Sequence, residues 1–119
     1  MRKKIYGYEL IMDLYECSKD IIASKSKLQE YVDELCKLIK MKKYGKTIIS
    51  YFGESKEYTK GYSLVQLIET SSITGHFSEK WKTAYINIFS CQKYNHIKAK
   101  NFTHTFFKAK KIHSRFIIR

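Results

Sequence analysis

The 119-residue sequence has no proline and only five glycines, which leaves little material for linkers and points to one continuous domain, 1–119. A chain of this length buries roughly two thirds of the surface its unfolded form exposes, enough for a single core. Cysteine is scarce as well: Cys17, Cys36 and Cys91 are an odd number, with no CxxC spacing and no closely spaced histidine pair. Neither a disulfide framework nor a structural zinc site is therefore expected. No run of eighteen apolar residues occurs, which argues against a transmembrane helix. The start, MRKKIYGYELIMDLYEC, is basic and then apolar like a leader, but Glu9, Asp13 and Glu16 interrupt it and no small-residue cleavage site follows. The expectation is a cytoplasmic protein with no membrane partner.

Acidic residues are also few, 11 against 23 Lys and Arg, for a formal charge of +12. Lys40, Lys42, Lys43 and Lys46 form one cluster, and Lys98, Lys100, Lys108, Lys110 and Lys111 another. Solvated faces on a small protein account for such lysines. A basic nucleic-acid-binding module is the competing reading, but no base-reading motif accompanies the charge.

What is present is the material of a folded domain, 44% hydrophobic and 15% aromatic. Ile5 to Tyr15 alternates, with Tyr8, Leu10, Met12 and Leu14 on one face and Glu9, Ile11, Asp13 and Tyr15 on the other, as in a half-buried strand. Ser26 and Gln29 have capping-box spacing, and Leu28, Tyr31, Val32, Leu35, Leu38 and Ile39 follow at helical intervals, with Cys36 beside the stripe as a structural residue. Thr47 to Phe52 reads as a strand, Gly53 to Gly61 as the polar loop that turns the chain back, and Tyr62 to Glu69 as the next strand. Thr83 to Ser90 alternates again and is placed beside the strand leading into Ser71, with Trp81 closing a rim. Ile97, Phe102, Phe106 and Ala109 mark a second amphipathic helix, and Ile112 to Ile118 a last strand. The order β-α-β-β-β-α-β predicts an α+β two-layer sandwich, an antiparallel sheet with two helices on one face.

The chemistry is concentrated in Gly61 to Cys91, GYSLVQLIETSSITGHFSEKWKTAYINIFSC, where two strand-like runs flank a polar insert from Thr70 to His76. Hydroxyls at Ser63 and Ser71, an imidazole at His76 and a thiol at Cys91 suit nucleophilic or proton-transfer work. Taken singly, each has a plainer use: a turn or capping serine, a hydrogen-bonded turn histidine, a small buried cysteine. His96, His104 and His113 have no comparable context and read as surface residues.

The run G-x-S-x-V-x-x-I, then S-x-I-T-x-H, then I-F-S-C fifteen residues past the histidine, resembles the small prokaryotic S-adenosylmethionine decarboxylases. Ser63, Ser71, His76 and Cys91 keep that family's relative spacing without a gap, and Gly7 to Cys17 adds to a likeness that covers nearly the whole chain. The chain departs from the pattern where the family usually has Glu before the cleaved serine and His after it: here stand Thr70 and Ser72. Gly75 replaces an aliphatic residue, and Lys80 falls at a family glutamate. These departures bear on substrate.

The resemblance implies self-cleavage between Thr70 and Ser71, a pyruvoyl group derived from Ser71, and decarboxylation of S-adenosylmethionine through a Schiff base, for polyamine (spermidine) synthesis. It implies His76 as proton acceptor during processing, Ser63 as a hydrogen-bond partner of the developing oxyanion or ester, and Cys91 as proton donor to the decarboxylated carbon. It also implies a homodimer with active sites at the interface. Phe52 would lie near the adenine, or else be a core residue. Glu69 and Asp13 are the remaining candidates for substrate contact, Glu69 one position before Thr70 and Asp13 on the accessible face of its strand. The same chemistry on arginine or ornithine, and a non-processing regulatory homologue, remain as alternatives.

Overall fold

The computed structural model describes residues 4–119; the first three residues of the leader-like stretch lie outside them. Six strands form one antiparallel sheet: β1 (Tyr8–Tyr15), β2 (Ile48–Phe52), β3 (Gly61–Ile68), β4 (Ser71–Ser78), β5 (Thr83–Ser90) and β6 (Lys111–Ile118). Their order across the sheet is β2-β3-β4-β5-β1-β6. Helices α2 (Lys25–Leu38) and α3 (His96–Phe106) cover one face, after a single-turn α1 (Lys19–Ile22). This is the expected two-layer α+β sandwich.

Period-2 alternation decides which face each residue joins. Leu10, Met12 and Leu14 of β1, Ile73 and Phe77 of β4 and Ala84, Ile86 and Ile88 of β5 point to the helices and are buried. They pack against Leu28, Tyr31, Val32 and Leu35 of α2 and Ala99 of α3. Tyr31, fully buried, joins the two helices: its ring stacks on Phe102 and its hydroxyl donates to Thr103 Oγ1 at 2.8 Å. Among the described residues, the opposite face carries no α-helix. Among the described residues, no helix is long and apolar enough to cross a membrane.

Several expectations need correction. The polar insert is itself a strand: Ile73, Gly75 and Phe77 alternate with Ser72, Thr74 and His76, so β4 enters between β3 and β5 and makes a sixth strand. β5 therefore neighbours β4 rather than the strand before Ser71. Gly75 sits in a tight spot, where a Cβ would meet the Phe77 ring at 3.1 Å and Leu64 at 3.3 Å and those side chains would have to give way. Helix α2 is capped by Ser24, which accepts from the Lys27 amide, not by Ser26. In α3 the buried positions are Ala99 and Thr103, whereas Ile97 is exposed and Ala109 lies past the helix end. His96 stacks on Phe116 and His104 caps the α3 end through the Ala109 carbonyl, so two of the surface histidines have structural partners.

Candidate active site

The β3–β4 hairpin places the candidate residues at two separate ends of the sheet. At one end Ser63 and His76 are cross-strand partners, and Ser63 Oγ lies 2.9 Å from His76 Nδ1. Both project from the helix-free face. Across the sheet the same row runs through Tyr85 to Asp13 and on to His113, by the strand register. Asp13 therefore shares a face and a row with His76, separated from it by Tyr85.

A pocket of about 320 Å³ opens beside this pair, lined by Tyr58, Thr59, Phe77, Ser78, Trp81 and Tyr85 together with Ser63 and His76. Tyr58 stacks on Trp81 with ring centroids 4.7 Å apart and planes within 16°. Trp81 does form a rim, as its position before β5 suggested. Tyr58 comes from the loop between β2 and β3, where a 3₁₀ turn (Glu57–Thr59) presents it. Phe52 ends β2 opposite Gly61 and is exposed, so it is not a core residue.

Ser71 begins β4 at the other end. Five residues at roughly 3.3 Å each put it about 16 Å from His76, and odd spacing turns its side chain to the helix side. Its Oγ donates to Ser90 Oγ at 2.6 Å, and the Gln92 amide donates to that same Ser90 oxygen at 2.9 Å. Ser90 is fully buried.

The bond before Ser71 is equally well held. Thr70 occupies the left-handed region at φ 61, closing a two-residue turn between Ile68 and Ser71. The Cys91 amide donates to the Thr70 carbonyl oxygen at 3.1 Å. Strand alternation sends the Cys91 side chain to the helix-free face, where its hydrogen bond with the Tyr6 hydroxyl holds the Tyr6 phenol above its ordinary pKa. Glu69 is exposed in the turn, beside Lys40 and Lys42 and away from Ser63 and His76.

One protomer thus holds the four candidate residues in two separate groups, Ser63 with His76 and, through the Cys91 amide on the Thr70 carbonyl, Ser71 with Cys91. A carbonyl polarised by an N–H donor, next to a fixed hydroxyl, can undergo acyl transfer. Ser90, Tyr58 and Tyr85 were missed by the sequence reading. Ser90 had a signal, a hydroxyl on the buried stripe of Ala84, Ile86 and Ile88, but its pairing with Ser71 depends on register. Among the described residues no three His, Cys, Asp or Glu side chains gather as metal ligands.

Comparison with known proteins shows what the chain as a whole is similar to. A family model described as S-adenosylmethionine decarboxylase matches residues 8–119. The S-adenosylmethionine decarboxylase proenzyme of Sulfurisphaera tokodaii is 26% identical over 111 residues, spanning 84% of this chain and 85% of that protein. The crystal structure of the adenosylmethionine decarboxylase from Aquifex aeolicus VF5 superposes with a TM-score of 0.82, covering 98% of this chain and 92% of its own, at 19% identity. That superposition supports the fold, and the family match covers all six strands and both main helices: this chain belongs to the S-adenosylmethionine decarboxylase family of carboxy-lyases.

Proposed function

We propose that the chain cuts itself between Thr70 and Ser71 and, as a pyruvoyl enzyme, decarboxylates S-adenosylmethionine to supply aminopropyl groups for polyamine synthesis. The observation that carries this reading is the paired restraint on the scissile bond: Cys91 N–H on the Thr70 carbonyl and Ser90 on the Ser71 hydroxyl. Those residues fit the formation of a pyruvoyl group, because nucleophile and electrophile are adjacent and the oxygen that gains charge already has a donor.

Ser71 Oγ attacks the Thr70 carbonyl carbon, the Thr70–Ser71 amide C–N bond breaks, and the peptide becomes an ester with a free amine at residue 71. Loss of the Ser71 α-proton expels the Thr70 carboxylate as the end of residues 1–70. Residue 71 is left as dehydroalanine, which takes up water and loses ammonia. A pyruvoyl group at residue 71 supplies the electron sink for decarboxylation, which no side chain offers. His76 serves as proton acceptor through Nε2; Nδ1 then carries the hydrogen and donates to Ser63 Oγ, which orients the ring. Cys91 Sγ, next to the cut, returns a proton to the carbon that has lost carbon dioxide.

A single protomer keeps His76 about 16 Å from Ser71, by five extended residues. A second copy, stacked helix-free face to helix-free face about a two-fold axis, brings its own Ser63 and His76 to the Thr70–Ser71 bond and completes two equal sites. The uncovered face carries Val65, Leu67, Tyr85 and Phe89 for such a contact. The pocket walled by Tyr58 and Trp81 then lies inside the completed site, where flat aromatic faces suit the adenine ring.

Intact mass under denaturing conditions tests the reading. Two fragments dividing between Thr70 and Ser71, with the carboxyl-terminal one blocked by pyruvoyl, are expected; a single unmodified chain of 14.2 kDa overturns it. Product formation with S-adenosylmethionine, and none with arginine or ornithine, is the expected substrate result.

A further inference from the structure

We propose that Ser90 is a positioning residue for self-processing: its buried hydroxyl holds Ser71 Oγ in the orientation from which it attacks the Thr70 carbonyl. The proposal rests on the reading that the chain cuts itself at Ser71.

Register and hydrogen bonding make the contact specific. Ser71 and Ser90 are direct partners between β4 and β5. The bond from Cys91 N–H to Thr70 O lies just outside that pair, which makes Ser71 and Ser90 a non-hydrogen-bonded pair, the kind that brings side chains closest. The resulting 2.6 Å contact is at the short end for two hydroxyls.

Direction matters as much as distance. The Gln92 amide fills one lone pair of Ser90 Oγ, and Ser71 donates its hydroxyl hydrogen to the other. With its hydrogen turned to Ser90, Ser71 presents its own lone pairs away from Ser90. Ser90 is fully buried at the end of an apolar stripe, a place where a hydroxyl costs desolvation unless it is satisfied. Once Ser71 is converted, its Oγ has left with the Thr70 carboxylate, so this contact belongs to the precursor alone.

Variants that separate volume from hydrogen bonding test the role. The wild type, Ser90→Ala, Ser90→Cys and Ser90→Thr are made by cell-free translation, the full chain is followed by intact mass over time, and thermal midpoints are measured alongside on a Ser71→Ala background. Ser90→Ala and Ser90→Cys are expected to process about 100-fold more slowly, the scale of a misplaced reacting group. Ser90→Thr, which keeps the hydroxyl, restores most of the rate. Their uncut chains stay uncut in hydroxylamine, because no ester has formed.

Packing predicts the reverse order, since Cys keeps the serine volume and Thr adds a methyl group to a closed site. Rescue by Cys but not by Thr overturns the proposal, as do wild-type processing in Ser90→Ala and slow processing that tracks only a lost thermal transition. Hydroxylamine cleavage of the Ser90→Ala chain moves the block to elimination and also overturns it. An uncut wild type instead overturns the self-processing reading on which the proposal stands.

Discussion

Thr70 combines a branched Cβ with a left-handed backbone at φ 61, a conformation that costs an L-residue about 1–2 kcal/mol. That cost sits on the acyl side of the bond proposed to break. Glycine relaxes it, at some entropic cost of its own. On a Ser71→Ala background, Thr70→Gly is expected to raise unfolding free energy by about 1 kcal/mol in denaturant titration. With Ser71 present, the same change slows cleavage about fivefold, the rate equivalent of that energy; cleavage at the parent rate shows that the strain persists in the transition state. The three thiols differ just as sharply. Burial pushes Cys17 up to about 12 and Cys36 up to about 11, whereas Cys91 is partly exposed. Native alkylation at pH 7.5, where a thiol at about 11 is ionised in only about one molecule in 3,000, is expected to label Cys91 alone, and labelling of Cys36 at a similar rate contradicts its enclosure. Both buried thiols have folded pKa values raised above the ordinary thiol value of 9.0, so the stability they contribute holds below that value. It is lost as pH rises toward 11 and 12.

Among the elements, β4 was the hardest to read from sequence. Its serines, threonine, glycine and histidine are turn formers or neutral residues, and the buried face that would reveal period 2 is interrupted by Gly75. The Glu69–Thr70 turn also lacks the Asn-Gly or Asp-Gly signal of a tight hairpin. β1, β5 and the stripe of α2 were legible because large apolar residues mark every inward position. The segment from α2 to β2 adds a device that residue types alone do not disclose. Gln66, fully buried, donates to the Gly45 and Leu67 carbonyls at 3.2 and 2.8 Å and accepts from the Thr47 hydroxyl. Together with the Tyr44 amide on Leu67 O, these bonds fasten the lysine-rich segment to the end of the hairpin that bears Thr70. Gln66→Leu leaves those carbonyls without a side-chain donor and is expected to cost about 2–3 kcal/mol. Faster amide exchange confined to 41–47 and 66–70 is the accompanying signature; an unchanged thermal midpoint refutes the fastening role.

At the scale of the whole molecule, the sequence singled out four residues, and their spacing did not disclose that one chain holds them at two separate ends of the sheet. Spacing along the chain is not distance: Ser71 and His76 are five residues apart, yet an extended strand sets them about 16 Å from each other on opposite faces. In the symmetric pair proposed above, the two-fold axis that brings one partner's His76 to the other's Thr70–Ser71 bond does so twice. Complementation separates the arrangement from any single-chain mechanism. Neither Ser71→Ala nor His76→Ala alone is expected to process: the first lacks the nucleophile, and the second lacks the imidazole in both sites. Co-expressed with distinguishable tags, the two form a mixed dimer with one complete site, built from Ser71 of the His76→Ala chain and His76 of the Ser71→Ala chain. Intact mass then shows cleavage of the His76→Ala chain only, reaching about half of it if chains pair at random, as expected for a symmetric dimer. If each chain instead used its own histidine, mixing would cut neither. The +12 charge makes the pairing sensitive to salt: two basic protomers repel at low ionic strength, so complementation should rise as salt screens them.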